Sequence, residues 1–323
     1  MYDMHYDLLT ILYFNLKPNS KLKNINKLIN DCKKIYQNNI QGGIINLYFM
    51  PENEMEEELG ITKEELENVP AMLKKSIEYL DYLKKNNIIP SHINFLYSIE
   101  GCDYIKSPDE LEELYKLGIR SIIPVWNAKN KYGSGNRTNE GLTPLGIKLI
   151  KKAIELGIII DLSHANQKTF NDILDVVEKE QQSGKNPIIM ASHSNVKTLC
   201  NKDRNLSDRE LIRLKKMGGY IGLFTNGKFL TSNYKQLNYQ EKKQEYIKHL
   251  DYIINKIGFD IKKIIISTDD MNFHPDSIYH NYEAFPINTI SKDLYSLITK
   301  NFNKEIATNI LINNPLSIIN KVK

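Results

Sequence analysis

The chain has 323 residues, 41% hydrophobic and 25% charged, enough to enclose a large α/β core. Its net charge of +4, with lysines scattered among acids, excludes a nucleic-acid surface. Cys32, Cys102 and Cys200 are odd in number and lack C-x-x-C spacing, which excludes a disulfide framework and a cysteine-based zinc site. No basic leader and no apolar run long enough to cross a bilayer stand in the sequence, so a cytosolic protein with no membrane partner is expected.

In chain order, the first predicted strand is "YDMHYDL", residues 2–8, and the second is "GGIINLYFM", residues 42–50. An acidic stretch, 51–70, reads as a solvated loop and helix face before the amphipathic helix 71–85. Strand three, 93–99, runs into Glu100, and helix 107–118 follows. Strand four is 120–126. The Gly/Asn-rich stretch 127–141 after it lacks the G-K-[ST] ending of a phosphate loop and reads as a mobile loop above the sheet. Helices 142–157, 167–180, 207–217 and 239–258 then alternate with strands 157–163, 187–192, 218–224 and 262–268, and helices 291–300 and 303–312 close the chain. Eight short strands, apolar on both faces and mostly separated by helices, predict a (β/α)8 TIM-like barrel with additional C-terminal helices, a single domain over residues 1–323.

Active sites of such barrels lie at the C-terminal strand ends. There the sequence places His5 and Asp7 (strand one), Glu100 (three), Trp126 and Asn127 (four), Asp161 and His164 (five), His193 (six), and Asp269 and Asp270 (eight). In an extended strand His5 and Asp7 share one face. Three imidazoles and at least two carboxylates form a nitrogen/oxygen donor set suited to zinc, manganese, iron or cobalt, zinc first. Five ligands are too many for one open tetrahedral site. They fit two divalent ions sharing a bridging carboxylate, with Glu100 the natural bridge, and such a pair activates water and polarises a carbonyl. Asp269 is placed to accept the water's proton and return it to a leaving amine. His92, His249, His274 and His280 have no matching partners and read as surface or loop histidines.

These residues fall in an order that resembles the membrane dipeptidase (renal dipeptidase) family of metallopeptidases. "DMHYDLL" looks like its D-x-H-x-D opening and "SIEGCD" like its Glu-Gly segment. Residues 141–174 are similar to its long central block, "PIIMASHSNVKTLCNKDRN" to its S-H-S…R-N segment, and "STDDMN" to a diverged form of its late G-S-D-F-D-G segment. The resemblance implies a zinc-dependent barrel hydrolase acting on dipeptides or similar small N-acyl amino acids. His5 and Asp7 would bind one metal, Glu100 would bridge, and His164 and His193 would bind the second. Arg204 would hold the substrate's terminal carboxylate, and Asp269 would be the general acid/base. Relatives are often dimers, so a homodimer is an expectation. Two departures touch the substrate side. Trp126 and Asn127 stand where many members have a histidine, and Met271 and Asn272 replace the late motif's second Asp and Gly. They keep open two alternatives: another amide, lactam or lactone hydrolase, or a degenerate barrel that binds a peptide or metabolite without turnover.

Overall fold

A computed structural model describes residues 1–17, 24–37, 40–269, 284–286 and 289–322. Its sheet has eight strands in sequential order: β1 (Tyr2–Tyr6), β2 (Gly42–Tyr48), β3 (Asn94–Glu100), β4 (Ile119–Ile123), β5 (Ile159–Asp161), β6 (Ile189–Ala191), β7 (Tyr220–Phe224) and β8 (Ile264–Ser267). All neighbours pair in parallel. The eight predicted strands are all present, as a (β/α)8 barrel requires. At the seam between β8 and β1 a buried carboxylate joins the two edges. Asp3 accepts from the Thr268 amide at 3.0 Å and from its hydroxyl, and the Asp269 amide donates to His5 O at 2.9 Å.

The helices are α1 (Leu8–Leu16), α2 (Ile25–Gln37), α3 (Glu52–Leu59), α4 (Lys63–Leu66), α5 (Val69–Lys85), α6 (Leu111–Lys116), α7 (Pro144–Leu156), α8 (Gln167–Gln182), α9 (Asp208–Lys216), α10 (Tyr239–Asp251), α11 (Ile290–Asn301), α12 (Lys304–Thr308) and α13 (Asn314–Val322). Sequence reasoning passes over α1, α2 and α13. The reason is plainest for α1: Leu8 to Asn15 are all buried, so no polar stripe repeats every three or four residues to announce a helix. Among the described residues no helix is long and apolar enough to cross a membrane.

Two apolar layers result. The larger packs the helices onto the outside of the strands. The smaller draws one or two residues from each of seven strands, among them Met4, Ile44, Leu96, Met190 and Ile265, and closes on Ile318, Ile319 and Val322 of α13. The last helix therefore plugs the floor of the barrel, and the polar strand ends face the other mouth. The pairing of β1 with β2 slips between Asp3 and Tyr6: Asp3 faces Gly43, but Tyr6 faces Ile45. The extra residue breaks simple alternation. Met4 belongs to the inner cluster, yet adjacent His5 joins the polar group at the mouth. Asp7 lies beyond the strand, as the N-cap residue of α1 rather than as the strand residue expected.

Candidate metal centre at the strand ends

Glu100, the last residue of β3, is the hub of the mouth. Its Oε2 lies 3.0 Å from His5 Nε2 and its Oε1 lies 2.7 Å from His164 Nε2, with His193 Nε2 3.8 Å from the same Oε1. The donor atoms of His5, Asp7 and Glu100 lie within 4.8 Å of one another, and so do those of Glu100, His164 and His193. His5, His193 and Asp269 make a third such group. All five expected ligands are thus gathered into two overlapping sets that share one carboxylate, and all five are buried.

Each imidazole is held from behind. His164 Nδ1–H donates to Asn127 Oδ1 at 2.8 Å, and that oxygen also accepts from Asn136 Nδ2 at 2.8 Å. Ser192 Oγ lies 3.2 Å from His5 Nδ1 and 2.8 Å from His193 Nδ1. One hydroxyl can accept from both rings, which turns both Nε2 atoms toward Glu100. Ser192 is fixed in turn: its amide and that of Ser163 both donate to Asp161 Oδ1 at 3.0 Å. His5 and His193 stack with ring centroids 3.7 Å apart. The backbone contributes too. His164 and Asp269 have φ of 68° and 52°, left-handed values that residues other than glycine adopt uncommonly and that cluster at functional sites.

Electrostatics follow from burial around one anion. Burial, then the Arg204 guanidinium, drops His164 to about 3 against the partial pull of Glu100. Burial, then His5 and Arg204, holds His193 far below its ordinary value. Both are neutral donors at neutral pH, the form a metal takes. Burial opposes protonation of His5, but Glu100 and Asp269 override it and raise its pKa. Burial would raise Glu100, yet His5 and His164 hold it well below the usual carboxylate range. Burial lifts Asp269 to about 7.

The donor set fits a pair of divalent cations. Buried His5 Nε2 finds no aligned hydrogen-bond partner among the described residues, although Glu100 is 3.0 Å away. The Nε2 atoms of His164 and His193 converge to 2.9 Å, and two neutral imidazole nitrogens beside one carboxylate suit a cation between them.

The remaining candidates lie around this centre. Arg204 is partly buried, and its Nη2 reaches His193 O at 3.5 Å. The Trp126 ring is stacked 6.0 Å from that of His164. Asn127 stands behind His164 and orients it. Asp270, Met271, Asn272, His274 and His280 lie outside the described residues. His249 is a correction: it is wholly buried in α10 rather than on the surface. Its Nδ1 accepts from the Val196 amide at 3.0 Å and its Nε2–H donates to Leu230 O at 2.8 Å, which anchors the loop carrying His193 and Arg204. The stretch 127–141 is a second correction. The Tyr132 and Gly133 amides donate to Asn130 Oδ1, Tyr132 Oη donates to Ile105 O, and Asn166 Nδ2 donates to Thr138 O, so the loop is built rather than loose. The positioning roles of Asp3 and Ser192 are visible only as letters within motifs, Asp161 stands among the strand-end residues without a role, and His249 sits in no motif at all.

Solved structures with the same architecture include a dipeptidase described as a metallopeptidase of family M19, at a TM-score of 0.74 and 19% identity over 99% of this chain and 98% of that one. A metallopeptidase from Rhodobacter sphaeroides, bound to a phosphinate mimic of the dipeptide L-Ala-D-Ala, gives 0.70 and 18% over 100% and 99%. In sequence, an uncharacterized protein of the pqqA 5′ region of Klebsiella pneumoniae is 35% identical over 159 residues, 47% of this chain and 55% of that protein. An uncharacterized dipeptidase of Schizosaccharomyces pombe is 33% identical over 142 residues, 42% of this chain and 33% of its own. The chain spans about half the length of the first curated relatives it matches. The family profile for membrane dipeptidase matches residues 1–323, and on that match the chain belongs to the membrane dipeptidase family, peptidase family M19.

Proposed function

We propose that the protein is a binuclear metal-dependent dipeptidase that cleaves the amide bond of a dipeptide or similar small N-acyl amino acid. The observation that carries this reading is the single carboxylate of Glu100, with one oxygen toward His5 and the other toward His164. His5, Asp7, Glu100, His164 and His193 would hold two divalent ions, zinc by donor chemistry, and the pair would supply acidified water and a polarised scissile carbonyl. Asp269 keeps 26% of its side chain exposed at the mouth. Its carboxylate takes the proton of the attacking water and delivers it to the leaving amine. Arg204 anchors the substrate's terminal carboxylate through its planar fork. Trp126 forms the wall beside His164, and Asn127 keeps that histidine in the tautomer that leaves Nε2 bare. The three free, buried cysteines suit a reducing cytosol.

The test is metal analysis of protein purified without chelator, followed by a dipeptide panel that includes D-residues at the second position. Two metal equivalents per chain and hydrolysis are expected. Fewer than one equivalent after zinc reconstitution would sink the binuclear reading. Tight ligand binding without turnover at full metal loading would replace the enzyme by a degenerate binding barrel.

A further inference from the structure

Arg137 stands outside every role assigned so far. Its guanidinium lies over the Trp126 ring, 5.4 Å from the centroid, and the Trp126 ring is itself stacked toward His164. The cation is thus one aromatic ring away from the metal centre. The loop's own hydrogen bonds hold it there. The Arg137 amide donates to Asn127 O at 2.9 Å, and Asn136, its neighbour, donates to Asn127 Oδ1, the same oxygen that orients His164. Gly135 makes this closeness possible: a Cβ there would meet Trp126 O at 1.7 Å.

Among the described residues no carboxylate lies within ion-pair distance of Arg137, although Lys129 on the same loop has Glu140 at 3.1 Å. Arg137 is exposed, so its fork is open to an incoming anion. We propose that Arg137 is a specificity-determining residue that receives an acidic side chain, so that the preferred substrates are dipeptides carrying aspartate or glutamate. Arg204 takes the terminal carboxylate and Arg137 takes the second one. The Trp126 face supports the guanidinium from one side, and the planar fork favours a two-point contact with a carboxylate over contact with a neutral amide.

This inference rests on the dipeptidase reading, and the experiment separates the two. The zinc-loaded enzyme is assayed on Ala-Glu, Glu-Ala and Ala-Asp against the isosteric Ala-Gln, Gln-Ala and Ala-Asn. The expected result is an acid-over-amide ratio in kcat/KM of about tenfold or more for at least one pair, shrinking with added salt. In Arg137→Gln that ratio should fall to near one, and in Arg137→Glu it should reverse. Arg137→Lys, which keeps charge and loses the planar fork, should retain only part of it. Cleavage of the whole panel with a wild-type ratio near one overturns the inference and leaves the dipeptidase reading standing. So does an equal loss on acid and amide substrates in Arg137→Gln, which would make Arg137 a loop-ordering residue. No cleavage of any dipeptide at full metal loading overturns both.

Discussion

Ser192 shows how much of the centre depends on side chains that touch neither metal nor substrate. Its hydroxyl stands behind both His5 and His193. Replacing it by alanine frees both rings to rotate, so Ser192→Ala should weaken zinc by about 10–100-fold, read by chelator competition. A change below twofold would mean the rings are held by stacking alone. Asp269 makes the complementary case. As the proposed base it acts only when ionised, so activity should climb with pH through its pKa. Burial sets that pKa to about 7 without metal, and cations in the proposed sites would move it lower. Asp269→Asn should keep its metals and lose nearly all turnover together with this acid limb. Unchanged turnover would pass the proton-transfer role to adjacent Asp270.

At the scale of the element, the β6–α9 connection is a scaffold rather than a tether. It carries His193 and Arg204, and it is stitched by the Leu206 amide to Asn195 O, by Asn195 Nδ2 to Phe224 O, and by His249 to Val196. His249 is neutral there because burial holds it at about 4 against an ordinary 6.5, opposed by its hydrogen bond to the Leu230 carbonyl and by Glu245, with Lys248 adding to the lowering. The sign comes from the protons bound. Between these values the unfolded chain takes up a proton that the folded chain refuses. Stability is therefore complete above 6.5 and lost as the pH falls toward 4. Urea midpoints at pH 7.5 and pH 5 should show about 2 kcal/mol of acid loss that the variant His249→Gln lacks. Parallel pH curves for the two proteins would remove His249 from the account.

Over the whole molecule, two devices close the barrel: the Asp3–Thr268 pair at the β8–β1 seam and the α13 plug at the floor. Buried charge at the mouth is the opposing feature, since Glu100 and three imidazoles are packed with almost no solvent. Cations that bind only the folded arrangement must stabilise it by mass action. Removing metal with a chelator should lower the melting temperature and abolish activity, and zinc should restore both. A melting temperature indifferent to metal would show that the apo cluster is already satisfied.

The sequence by itself determined the strand count, the barrel and the set of polar residues at one rim. Each of these is written locally, in apolar runs a few residues long and in the polar side chains that terminate them. Tertiary structure alone decided which of those residues meet. The bulge in β1 turns both Met4 and His5 inward, against the alternation that reading along a strand assumes. Helix α1 is hidden because it is buried all round, and α13 matters only as the floor on which seven strands close. His249, Ser192 and Arg137 owe their roles to partners 53, 187 and 11 positions away in the chain, a separation that no local pattern records.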